Sequence, residues 1–272
     1  MLRVTNLCQV YSHVSNDCAD VGSLKELDLD KPQLLLVTDR ILKESERFWA
    51  ASIMQLIAAH HVDQLWMHSW GLVTSYYAYF FTMNAVLRLA GRALTFHRGK
   101  TYRIKRIKLD SPEYEISVKP VSNHKTQWDF YYDLIQNDVT DDKQMKELFV
   151  FQLAFKHHDR KFREMVNYDL AFGFDERHHS PSGLQDIAAS HNLVPVFRNP
   201  IDALNDELGD AVSDEAITIM ICGYAHSLFS QIALTGPFKS YWNMQSEKLW
   251  GFISKAPIEN ELRSAVLNWL GW

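Results

Sequence analysis

The chain has 272 residues, 47% hydrophobic and 22% charged, with a formal net charge of −5. That length suits one large domain or two small ones with a substantial core. The acidic balance excludes a general polycation, so any nucleic-acid contact must come from a local patch. Eleven Gly and eight Pro are few for this length, which favours long helices over a turn-rich all-β fold.

Residues 1–37 read as an irregular segment, with a short strand expected at "QLLLV". The stretch "MLRVTNLCQVYSHVSND" has no continuous apolar run, so no secretory signal is expected. Cys8, Cys18 and Cys222 include no CxxC pair and are odd in number, so no disulfide framework is implied. A reducing, cytoplasmic setting is the corresponding expectation.

Thr38 or Asp39 can cap a helix by accepting an orphan backbone N–H. Ile41, Phe48, Trp49, Ile53, Leu56 and Ile57 then recur at helical spacing, predicting a helix over 40–61. "HHVD" reads as a break. A second helix is predicted over 63–91, stopping at Gly91. Residues 64–87 hold no Asp, Glu, Lys or Arg and could span a bilayer by length alone. They also hold Gln64, His68, Ser69, Thr74, Ser75, Thr82, Asn84 and tyrosines 76, 77 and 79, too polar for a lipid-facing helix. We expect this helix to be enclosed by protein, with no membrane partner.

After Gly99, "TYRIKRIKL" and "YEISVK" flank a Ser-Pro turn and predict a β-hairpin over about 100–120. "WDFYYDLIQN" and "DDKQMKELFVFQLAFKHH" read as helices, and the helical phase continues through "KFREMVNYD". Most Pro and Gly clusters fall in 172–212, predicting a long ordered loop. Ser213, with Asp214 and Glu215, caps a helix over 214–233, and "IENELRSAVLNWLGW" reads as a C-terminal helix. The physical reading is a mainly α bundle with an inserted hairpin and loop.

Four stretches in this order resemble the HEPN superfamily of helical domains found in toxin–antitoxin, CRISPR and anti-phage systems. "SYYAYFFTMNAVLRLAG" resembles its second long helix, and "FHRG" falls where many members carry a His-x-Gly. "REMVNYD" resembles the third helix, and "DEAITIMICGYAHSLFSQI" the last. The resemblance implies a HEPN-like domain over 38–235, carrying the hairpin (about 100–120) and the loop (about 172–212) as insertions. A C-terminal helical extension over 236–272 would follow. It further implies a homodimer, a possible cognate partner or antitoxin, and action on or binding of RNA.

Many such proteins cleave RNA without a metal, through an Arg and a His separated by four to six residues. The histidine handles the 2′-hydroxyl proton and the arginine balances charge developing on the phosphate. By that resemblance "RALTFH" makes Arg92 and His97 the candidate catalytic pair, although Ala93 and Gly99 stand where active members often carry a polar residue and a tyrosine. The residue-level alternative is structural: His97 bonds backbone and Arg92 is solvated.

Other residues invite both a functional and a structural reading. Six Lys or Arg lie within 98–108, which makes Arg98, Lys100, Arg103, Lys105 and Arg106 candidate phosphate contacts, with Tyr102 as a stacking platform. A solvated strand face paired with Glu113 and Glu115 would produce the same run. Tyr76, Tyr77, Arg163 and Tyr168 could line an interhelical groove, or simply pack. Arg177, His178, His179 and Arg198 could hold an anion on the loop, where a solvated loop is the plainer account. The pairs His60-His61, His157-His158 and His178-His179 lack the three- or four-residue spacing of helical metal ligands, so no metal and no cofactor are expected. The non-enzymatic alternative is a dimerisation or partner-binding module. Eight Trp and the ending "VLNWLGW" would leave it apolar area to spare.

Overall fold

The structure is a computed structural model. It describes residues 34–65, 67–107, 113–119, 124–137, 214–235 and 238–258, with single positions 7, 10, 11, 146, 148, 149, 152, 153, 260, 263, 264 and 267. Among these the chain is mainly helical with one small antiparallel sheet. In chain order the elements are α1 (Leu34–Gln64), α2 (His68–Leu89), β1 (Arg92–His97), β2 (Lys100–Arg106), β3 (Tyr114–Lys119), α3 (His124–Asn137), α4 (Asp214–Thr235) and α5 (Lys239–Ile253).

Several boundaries differ from the sequence expectation, each for a physical reason. Residues 34–37 of "QLLLV" form the first turn of α1 instead of a strand, because a short apolar run fits either state until packing decides. Val37 and Ile41, one turn apart, belong to the same buried cluster. Thr38 does not cap the helix; its hydroxyl lies 3.0 Å from the Tyr114 hydroxyl. "HHVD" stays helical, and the break falls at 65–67. The hairpin becomes a three-stranded sheet, because "RALTFH" is itself a strand. Helix α5 falls within the helical extension expected over 236–272. The extended loop expected at 172–212 and most of the helix expected at 143–168 lie outside the described residues.

α2 ends as its glycine requires. Gly91 has φ +72, a conformation costly for any residue with a side chain, and its N–H bonds the Arg88 carbonyl at 2.8 Å. Every residue from Thr82 to Ala90 is buried, whereas Leu65, Met67 and Trp70 are exposed, so only the C-terminal part of the expected enclosed stretch is a core element. Of the described helices, α4 alone is long and apolar enough to cross a membrane, over Ile217–Leu234, and 61% of that window is buried in protein.

The chain divides into two compact units, 1–49 with 83–146 and 225–247, and 50–82 with 147–224 and 248–272. In the first, α1 and α2 are antiparallel neighbours. The Ser45 hydroxyl donates to the Ala85 carbonyl at 2.6 Å, and Arg88 pairs with Glu44 at 2.7 Å. Trp49 lies against Trp242 (ring centroids 5.2 Å apart) and His226 (5.7 Å), and Phe229 stacks on Trp242 at 5.1 Å. These rings join α1, α4 and α5. In the second unit, Ser52, Thr82 and Cys222 meet: the thiol is 3.1 Å from the Thr82 hydroxyl and 3.4 Å from that of Ser52. Burial pushes this thiol up to about 11, so it stays a neutral hydrogen-bonding group.

The sheet lies in the first unit, in the order β1-β2-β3. Alternation along the strands separates two faces. Ala93, Tyr102 and Ile104 form a buried cluster with Val37 and Ile41 of α1, with Tyr114 and Ile116 packed against it. The other face carries Arg92 and Arg103, which meet Phe130 and Asp133 of α3.

Candidate functional site

β1 and β2 are joined by two residues, Arg98 and Gly99, with φ +48 and +78. Positive φ at both central positions is the geometry of a type I′ hairpin turn, which matches the twist of the flanking strands. Gly99 fits it without cost. Arg98 does not, since Asn, Asp or Gly is the usual occupant and a left-handed L-residue costs about 1 kcal/mol. His97 and Lys100 pair across the turn. Phe96, Arg98, Gly99 and Lys100 are all exposed, and Phe96 keeps 55% of its surface free. No acid occurs from 92 to 107, and Glu113 and Glu115 lie toward the opposite end of the sheet. The hairpin tip is therefore a small cationic surface with one open aromatic ring.

The predicted basic run does not act as one surface. Tyr102 is enclosed in the α1-facing cluster and has no free ring face to offer. Arg106 is buried too, its Nη2 donating to the Tyr11 hydroxyl at 2.9 Å and reaching that of Tyr114 at 3.4 Å. Tyr11 in turn donates to the carbonyls of Leu89 (3.0 Å) and Arg88 (3.2 Å), where α2 ends. Burial raises this hydroxyl to about 12, so it remains a donor at neutral pH. The guanidinium thereby places positive charge near the negative end of the α2 dipole. Arg103 lies 4.4 Å from the Phe130 ring centroid and 3.9 Å from the Asp133 carboxylate. Lys105 stands opposite Glu115. Among the described members of the run, Arg98 and Lys100 are the exposed ones.

Arg92 and His97 occupy the first and last positions of β1. Five steps along the strand set their backbones about 16 Å apart and give them opposite parity. Arg92 is buried and donates from Nη1 to Asp133 Oδ2 at 2.6 Å, with Phe130 5.4 Å from its guanidinium carbon. Within one chain the strand does not bring the two positions together. Tyr76 is fully buried on α2, its ring 5.5 Å from that of Tyr77 and stacked on Phe80 at 6.2 Å. Arg163 and Tyr168 lie outside the described residues, as do Arg177, His178, His179 and Arg198. Among the described residues no three His, Cys, Asp or Glu side chains converge as a metal site would require.

Sequence reasoning overlooked Phe96 and Asp133. Phe96 was detectable, as an aromatic inside "TFHRGK" just ahead of the turn. Asp133 was not, because its link to Arg92 spans 41 residues and an interface between strand and helix. The class defined by fold and site is thus a mainly helical domain with a three-stranded sheet that ends in a cationic hairpin. No family model, curated protein or solved structure matches the chain.

Proposed function

We propose that this chain is a HEPN-like RNA-binding protein that contacts single-stranded RNA through the β1–β2 hairpin tip. The observation that carries this reading is the exposed, acid-free tip: Phe96 open on one side, Arg98 and Lys100 around the turn, and Arg98 kept in a left-handed conformation that glycine or asparagine would fill more cheaply. Retained strain of this kind points to a role for the side chain beyond the turn itself. Two cations can neutralise adjacent phosphates and release counterions, while the phenylalanine ring stacks on a base. The HEPN resemblance supplies the setting, a cytoplasmic defence or toxin system, and the preference for RNA over other polyanions.

Contact without catalysis is the form of this function that the geometry favours. Arg92 is committed to Asp133 and is buried, so phosphate would have to displace that partner. Binding is tested with a fluorescent single-stranded RNA and fluorescence anisotropy. Arg98→Ala with Lys100→Ala should weaken binding and flatten the slope of log K against log salt by about 1.4, the share of two phosphates on a single strand. Phe96→Ala should weaken it by about fivefold or more with the slope unchanged. Affinity that ignores both salt and these substitutions would remove the proposal. Cleavage of the same RNA, lost in His97→Ala with the fold intact, would restore the catalytic reading.

A further inference from the structure

β3 forms one edge of the sheet, and no described strand pairs with its outer side. An unpaired edge offers a row of N–H and C=O groups to any other strand, and proteins commonly blunt it with proline, a bulge or like charges. "YEISVK" has no proline, and its two charges are of opposite sign. Glu115 and Val118 are exposed, Val118 with 56% of its surface free.

The pattern is self-complementary. When β3 is laid antiparallel on a second β3 with Ser117 opposite Ser117, Glu115 falls opposite Lys119 and Ile116 opposite Val118. Symmetry makes each match occur twice. Partners share parity, so both sheet faces continue across the junction. The face that holds Tyr102, Ile104 and Ile116 would then extend over the exposed Val118. Opposite charges directly across a strand pair stabilise it, and like charges oppose it.

We infer that two copies of this chain associate through β3, forming a continuous six-stranded antiparallel sheet with a two-fold axis at Ser117. The two hairpin tips then point to opposite ends of that sheet. This inference does not depend on RNA binding.

Charge reversal supplies the test, read by sedimentation equilibrium of the full chain, with circular dichroism to confirm unchanged helix content. Glu115→Lys alone and Lys119→Glu alone each turn two attractions into two repulsions and should weaken dimerisation by about tenfold or more. The double variant Glu115→Lys with Lys119→Glu restores opposite charges and should recover the dimer. Independently, Ser117→Cys sets two thiols across the axis on Cα atoms about 4.5–5.5 Å apart, within disulfide reach, and should give a covalent dimer on oxidation. Ser254→Cys and the unmodified chain, with its own three cysteines, serve as controls and should not. A monomer at every concentration tested overturns the inference. So does a dimer indifferent to both single reversals, since a register shifted by one pair would leave Glu115 facing Ser117.

Discussion

Two residues with positive φ pull in opposite directions. At Gly91 the backbone conformation excludes a side chain, and an added Cβ would stand 2.5 Å from Arg106 Nε. Gly91→Ala should therefore destabilise the protein by about 2–4 kcal/mol, combining backbone strain with displacement of a buried guanidinium. Thermal unfolding checks this, and an unchanged midpoint would mean that Arg106 can move aside freely. At Arg98 the unfavourable conformation lies on an exposed turn. Arg98→Asn should raise stability by about 0.5–1 kcal/mol while weakening RNA binding. On the proposed function the two signs separate, because the arginine side chain costs stability and would supply a phosphate contact. Tyr11 gives a third case. Tyr11→Phe removes an acceptor for Arg106 and a donor to two α2 carbonyls, a loss of about 1–3 kcal/mol by denaturant titration.

At the scale of elements, α4 carries a titratable group in its aromatic contact surface. His226 packs between Trp49 and Trp242, and burial lowers its pKa from 6.5 to about 4. Below pH 6.5 the unfolded chain takes up a proton that the folded chain refuses. Stability is therefore lost as pH falls from 6.5 toward 4, by at most about 1.4 kcal/mol per pH unit, and this group contributes no slope above 6.5. His226→Phe should flatten that window in urea titrations at pH 4.5, 5.5 and 6.5. A wild-type stability that is level across it would show that the imidazole is solvated. The β1–α3 junction is held differently. Arg92→Ala leaves Asp133, which is partly exposed and also within 3.9 Å of Arg103, so the expected loss is modest, about 1–2 kcal/mol. Loss of RNA cleavage in that variant alone would consequently not identify a catalytic arginine.

For the whole molecule, the local cationic tip sits on a chain of net charge −5. Beyond the Debye length of about 8 Å at physiological salt, RNA meets an acidic body rather than a steering field. Added salt should thus shorten the residence time of bound RNA more than it slows association, and stopped-flow measurement separates the two. An association rate that falls steeply with salt would place more positive charge on the binding face than Arg98 and Lys100 provide.

Much of this molecule could be read from residues alone, and the part that could not follows one physical division. Periodicity and glycine placement determined local states: an apolar stripe beginning near Ile41, a helix stopping at Gly91, strands before and after Ser111, and a helix from Asp214. The strand and helix states depend on neighbours within a few positions, so local sequence carries them, while the Ser-Pro turn and the Ser213 cap lie outside the described residues. "QLLLV" misleads because a short apolar run suits helix and strand equally, and "RALTFH", half of it polar, does not show itself as a strand; the choice came from distant partners, α1 against the sheet and β1 against β2. The cationic run shows the same limit at the candidate site. Alternation already put Tyr102 and Arg106 on one face and Arg103 and Lys105 on the other. Which face would be covered, by Val37 and Ile41 on one side and by Phe130 and Asp133 on the other, only the tertiary packing decided. Burial is a property of what lies opposite a side chain, and for these residues that partner stands tens of positions away in the chain.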